Sequence, residues 1–176
     1  MDQVVVIDES GTHLGMTPRR ARAPRGQRAY AKARRNYGTR LSLIAALRSD
    51  GMGAAMTIEG AVDGAAFQAY LRDVLAPSLR PGQIVIMDNL SVHKSHRVRQ
   101  LVEAQGCTLL FLPAYSPDLT PIELAFSKLK TFLRRAGADT IETLQEAISI
   151  GLDRITAHDA HSYFRCCGFQ TMDQSS

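Results

Sequence analysis

Val4-Val5-Val6-Ile7-Asp8-Glu9 near the start of the chain and Ile84-Val85-Ile86-Met87-Asp88-Asn89 in its middle share one form: four consecutive apolar residues closed by an acid. A continuous apolar run of this length reads as a strand buried on both faces, as in a sheet with helices on either side. Ligands of open α/β sheets gather just beyond the carboxyl ends of the strands. If the two strands are parallel neighbours, Asp8 and Asp88 lie side by side at that edge.

The pattern changes on either side of these strands. Residues 40–47 and 52–58 flank Ser49-Asp50-Gly51, an Asp-Gly turn signal, and predict a β-hairpin. The stretch before the hairpin is broken by Pro18, Pro24 and Gly26 and reads as loop or short irregular helix. Phe67, Tyr70, Leu71, Val74 and Leu75 fall on one helical face after Asp63 as N-cap, and Pro77 and Pro81-Gly82 end that helix. Val98, Leu101 and Val102 mark a second helix stopped by Gly106, and residues 108–112 a third short buried strand. Ile122, Ala125, Phe126, Leu129, Phe132 and Leu133 form another apolar stripe. Ile141, Leu144, Ile148, Leu152 and Ile155 form the last, opened by a capping box of Asp139 and Glu142. The order predicts one α/β domain, residues 1–176: a mixed sheet flanked by helices, with helices alone toward the C-terminus.

The chain's 176 residues suffice for one sizeable core and fall short of two ordinary domains. Its 45% hydrophobic and 22% charged residues belong to a folded globular protein. No apolar run approaches the roughly 20 residues that span a bilayer, and no leader-like segment precedes the first strand, so neither a membrane protein nor a secreted precursor is expected. Cys107, Cys166 and Cys167 make no disulfide framework and suit a reducing cytoplasm. His158 and His161 with the adjacent Cys166 and Cys167 lack the C-x2-C spacing of a zinc site. No phosphate-cradling G-x-x-x-x-G-K-[ST] loop is present.

The net charge of +4 conceals a division. Residues Ser10 to Ser49 hold ten Lys and Arg and no Asp or Glu, while the rest of the chain, with 11 basic and 17 acidic residues, balances at −6. That distribution fits either a polyanionic partner met by one surface or a solvated charge run.

Asp8 as a turn residue, and Asp88 with Asn89 as a cap, are the ordinary readings of each acid alone. The repetition of one arrangement on two strands favours a shared role. Two adjacent carboxylates repel unless a cation lies between them, and hard oxygen ligands suit Mg²⁺ or Mn²⁺. Glu123 is the third candidate. Thr120-Pro121-Ile122-Glu123 has every mark of a helix start: Thr as N-cap, Pro in the first position, Glu completing a capping box. Yet Ser127, Lys130 and Arg134 follow Glu123 at spacings of four, seven and eleven, so carboxylate and cations project from one side of the helix. Spacing alone leaves both readings open.

Taken together, Val-Val-Val-Ile-Asp8-Glu9-Ser, Val-Ile-Met-Asp88-Asn89-Leu-Ser-Val-His93-Lys-Ser and Leu-Pro-Ala-Tyr-Ser-Pro-Asp-Leu-Thr-Pro-Ile-Glu123 resemble the catalytic domain of DDE transposases, in the bacterial insertion-sequence branch related to the mariner elements. The 34 residues between Asp88 and Glu123 suit that branch. The resemblance implies a ribonuclease H-like fold: a mixed five-stranded sheet flanked by helices, with a C-terminal helical extension. It implies cleavage of transposon ends and strand transfer into target DNA at a TA dinucleotide. Asp8, Asp88 and Glu123 would be the catalytic residues and the ligands of two Mg²⁺ or Mn²⁺ ions.

The partners implied are DNA, both transposon ends and target, and a second copy of the chain in a homodimer on DNA. Arg19, Arg20, Arg22, Arg25, Arg28, Arg34, Arg35, His93, Lys94, Lys130 and Arg134 are the expected DNA contacts, with a bacterial cytoplasmic, nucleoid-associated location. His93 could instead be a hydrogen-bonded structural histidine. Glu9 is secondary, since strand alternation turns it away from Asp8. Members of this branch carry an N-terminal helix-turn-helix that recognises the element's ends. Here that region is expected to be absent, because of a split reading frame with a separately encoded helix-turn-helix subunit, truncation or excision. The rivals are another two-metal nuclease of the same fold and a truncated DNA-binding regulator.

Overall fold

The structure, a computed structural model, describes residues 3–18, 20, 22–30, 38–113 and 119–169. Five strands form one sheet in the order β3-β2-β1-β4-β5: β1 (Val4–His13), β2 (Arg40–Arg48), β3 (Gly51–Glu59), β4 (Ile84–Met87) and β5 (Thr108–Phe111). The helices are α1 (Gly64–Tyr70), α2 (His96–Glu103), α3 (Pro121–Ala136), α4 (Ile141–Asp153) and α5 (Ala157–Cys166). The first three strands are antiparallel, with β2 and β3 joined by the predicted hairpin at Ser49-Asp50. Gly51 closes that turn at φ 129°, where a Cβ would also lie 2.8 Å from the Ile155 carbonyl oxygen. The strands β4 and β5 join β1 in parallel.

Strand alternation divides the core in two. Val6 and Ile86 face one side, where Ile122, Ala125, Phe126 and Leu129 of α3 pack with α4 and α5. Val5, Ile7, Val85 and Met87 face the other, covered by Phe67, Tyr70 and Leu71 and by Val98 and Val102 of α2. Strands buried on both faces are what the two apolar runs predict, and each fully buried large side chain contributes about 1.5–3 kcal/mol. After Tyr70, α1 runs on as a wider π-helical turn, Leu71–Leu75, and stops at Pro77. Asp63 caps α1 by accepting from the Ala66 amide at 2.8 Å, as its sequence predicts. Among the described residues no helix is long and apolar enough to cross a membrane.

Two expectations are corrected. The first strand does not end at Asp8-Glu9: it continues to His13, paired with β2 from Val6↔Leu47 to His13↔Arg40. Ser10 and Thr12 are buried there despite their polarity, and the Thr12 hydroxyl donates to the Leu41 carbonyl at 3.0 Å. Helix α4 is capped by Thr140 and Thr143, not by Asp139 and Glu142. Thr140 has the extended backbone of an N-cap, its hydroxyl accepts from the Thr143 amide, and the Thr143 hydroxyl accepts from the Thr140 amide.

Candidate metal centre and nucleic-acid face

The parallel ladder of β1 and β4 runs Val4↔Ile84, Val5↔Val85, Val6↔Ile86. The same offset carried two residues further sets Asp8 opposite Asp88, at the carboxyl end of the paired strands. Glu123 stands in the first turn of α3. Burial pushes the Asp8 carboxyl up to about 7, and the negative charges of Glu123, Asp88 and Glu9 push the same way, against the lowering effect of the Glu9 amide. That amide donates to Asp8 Oδ1 at 2.7 Å. The structure therefore brings Asp88 and Glu123 within electrostatic range of Asp8. It does not converge them: among the described residues no three His, Cys, Asp or Glu side chains stand close enough to hold one ion. Residues 114–118, which lead into Glu123, lie outside the described residues.

The donor chemistry fits a hard divalent cation. A buried carboxyl whose proton affinity is raised by neighbouring carboxylates, as at Asp8, is the arrangement a cation relieves, and oxygen-only donors suit Mg²⁺ or Mn²⁺ over softer metals. The capping role of Glu123 is not realised. Thr120 makes no side-chain capping bond to α3, and no capping box joins it to Glu123.

His93 is corrected. Expected among the DNA contacts, it is 1% exposed and has nothing to offer a phosphate. Its Nδ1 lies 2.5 Å from Asp88 Oδ1, its Nε2 3.1 Å from Glu9 Oε1, and its ring stacks on Phe67 with centroids 4.2 Å apart. Burial lowers its proton affinity, but Glu9 and then Asp88 outweigh that, so the net shift is upward and the imidazolium form is favoured. Glu9 does point away from Asp8, as strand alternation requires, and that is what brings it to His93.

Arg20, Arg22, Arg25 and Arg28 are exposed in a stretch without helix or strand among its described residues; Arg19, Arg34 and Arg35 lie outside them. Lys94 is exposed on a short 3-10 turn, Ser91–Lys94, directly after the Asp88 loop. A cleft lined by Pro18, Arg20, Ser127, Thr131, Arg134 and Arg135 joins the basic segment to the outer side of α3. Lys130 is half-buried and does not line it. Arg135 is not among the expected contacts, although its spacing of eight from Ser127 puts it on the same helical face. Other cations serve packing: Lys128 of α3 pairs with Asp159 at 2.6 Å, holding that carboxyl down to about 2, and Arg154 covers the Phe132 ring at 4.5 Å.

A five-stranded mixed sheet with three antiparallel strands leading, two parallel strands following and helices on both faces is the ribonuclease H-like fold. Residues 3–145 match the family described as DDE superfamily endonuclease, and the chain belongs to that family. Among solved structures, it superposes on the Mos1 transposase paired-end complex with left transposon end at TM-score 0.75 and 22% identity, over 94% of this chain and 51% of that one. The Mos1 mariner paired end complex with Mn gives TM-score 0.73 at 22% identity, over 94% and 53%. The catalytic domain of Mos1 mariner transposase gives 0.65 at 18%, over 94% and 76%. The chain thus spans about half the length of the full Mos1 chains. No curated protein sequence matches it significantly.

Proposed function

We propose that this chain is the catalytic domain of a DNA transposase of the bacterial insertion-sequence branch, cutting transposon ends and joining them to target DNA. The observation that carries the reading is the Asp8 carboxyl, raised to about 7 by burial and by the charges of Glu123, Asp88 and Glu9, at the carboxyl edge of two parallel strands. Asp8, Asp88 and Glu123 would hold two Mg²⁺ or Mn²⁺ ions, which when bound neutralise charge at the scissile phosphate and acidify the attacking hydroxyl. Without a cation, Asp8 takes up a proton near neutral pH instead.

The cleft of Arg20, Arg134 and Arg135, with the Ser127 and Thr131 hydroxyls, would bind phosphates of the strand leaving the carboxylates. Lys94 would contact the backbone beside Asp88. Arg22, Arg25 and Arg28, with Arg19, Arg34 and Arg35, would extend that surface onto transposon-end or target DNA. The attack is an in-line displacement, by water in cleavage and by the freed 3′-hydroxyl in joining. The domain would work as a homodimer on DNA in the bacterial cytoplasm, with a separately encoded helix-turn-helix subunit as a further partner.

The test is a strand-transfer assay with a pre-cut transposon end bearing a free 3′-hydroxyl, in Mg²⁺ or Mn²⁺. Joined product that disappears in Asp8→Ala and Glu123→Gln, with DNA binding retained, supports the reading. Nicking without joining assigns the chain to a simple nuclease of the same fold.

A further inference from the structure

We propose that Glu9, His93 and Phe67 form a buried latch that aims Asp88 at the metal centre, making His93 and Glu9 positioning residues for the reaction. The inference rests on the proposed metal site. The ladder between β1 and β4 has its last backbone pair at Val6↔Ile86, while β1 runs on to His13 and the chain after Asp88 turns away into the Ser91–Lys94 turn. A notch is left between the continuing strand and the departing one. Side chains rather than backbone close it. His93 spans the notch, one ring nitrogen on Asp88 Oδ1 and the other on Glu9 Oε1, with its face on Phe67 of α1 and its own amide donating to the Leu90 carbonyl at 3.1 Å.

The consequence falls on the ligand oxygens. Asp88 Oδ1 accepts from both His93 Nδ1 and the Leu90 amide, the latter at 3.1 Å, while no described residue donates to Oδ2. Asp8 is treated alike: Oδ1 accepts the Glu9 amide and Oδ2 accepts from no described residue. Each aspartate is held by one oxygen and presents the other. Glu9 serves both, its amide holding Asp8 and its carboxylate holding His93. Outer groups that orient metal ligands in this way typically change metal affinity or activity by about 10–100-fold when removed.

Mn²⁺ dissociation constants, measured by calorimetry at one fixed pH on the intact chain, test the latch in Glu9→Gln, His93→Gln and the double variant, beside Asp8→Asn. Melting temperatures without metal are read in parallel. The latch predicts that each single variant weakens Mn²⁺ about tenfold or more, and that the double variant is no worse than the poorer single, because both act along one path. Glu9→Gln, whose side chain is partly exposed, should do so with the metal-free melting temperature nearly unchanged. Mn²⁺ binding that depends on Asp8 but is unaltered in Glu9→Gln and His93→Gln overturns the latch and leaves the metal site standing. Affinity changes that add in the double variant also overturn it. Absence of Asp8-dependent Mn²⁺ binding in the wild-type chain overturns both.

Discussion

Asp8→Asn should stabilise the metal-free protein increasingly as pH rises above about 4, and fully above about 7. In the unfolded chain Asp8 ionises near its ordinary 3.8; in the folded chain it does so near 7. Below 3.8 the carboxyl is neutral in both states and costs nothing. Between those values the folded state binds the extra proton, so stability falls as pH rises, and above about 7 the decline is complete. For a shift of this size the full cost is roughly 4 kcal/mol. Solvent reaching the half-buried carboxyl relaxes part of it, leaving about 2 kcal/mol, or about 4–8 °C in Tm for a chain of this length. Thermal melts of wild type and Asp8→Asn across the acid-to-neutral range in chelator should therefore diverge progressively, with most of the divergence between about pH 4 and 7. Millimolar Mn²⁺ should close the gap on the alkaline side by raising the wild type alone. A pH-independent difference, or an Asn variant that is less stable above neutrality, would refute the burial of Asp8 among neighbouring carboxylates.

Glu123→Gln should lower metal-dependent nicking by at least about 100-fold while leaving binding of a transposon-end duplex within about twofold, read by gel shift beside a nicking time course. Replacing Arg134 and Arg135 by Ala should weaken DNA binding uniformly across sequences, and the slope of log K against log salt should drop by about one for each phosphate no longer neutralised. A slope equal to wild type would remove the α3 cleft from the DNA path. Gly151→Ala should destabilise the fold by about 1–3 kcal/mol in urea melts, since a Cβ there would overlap Leu129 Cδ1 and approach Phe132 Cδ1 to 2.9 Å where α4 crosses α3.

Much of the architecture is legible in the sequence because apolar periodicity and turn chemistry agree. The two four-residue runs, the Asp50-Gly51 turn and the α3 stripe all fall where the pattern puts them. What escapes does so for identifiable reasons. The far half of β1, Ser10–His13, looks polar and strand-terminal because its burial depends on β2, a partner some thirty residues away in the register. The α4 cap is missed because Asp139 and Thr140 are both competent N-caps, and only the backbone turn decides between them. His93 is hidden for a third reason. Five residues after Asp88, it could contact a phosphate or the core with equal propriety, and the deciding group, Glu9, stands 84 residues earlier on a strand face that alternation turns away from the site.

Glu123 shows how local and functional signals share the same residues. Thr-Pro-Ile-Glu predicts a helix start, and α3 does start there with Pro121 in its first turn. A carboxylate in a helix's first turn is favoured by the N-terminal dipole whether or not it caps. A capping box would have bound the carboxylate to the Thr120 amide, and that bond is not made; the Thr120 side chain does not cap α3 either. The helix is nucleated by Pro121 and by packing of Ile122, Ala125 and Phe126 against the sheet, so its start does not consume the acid. Glu123 is thereby held beside the sheet edge by a helix that does not need its side chain, and its charge acts on Asp8 instead. Among the described residues no bond takes up the acid whose local explanation was strongest in the sequence.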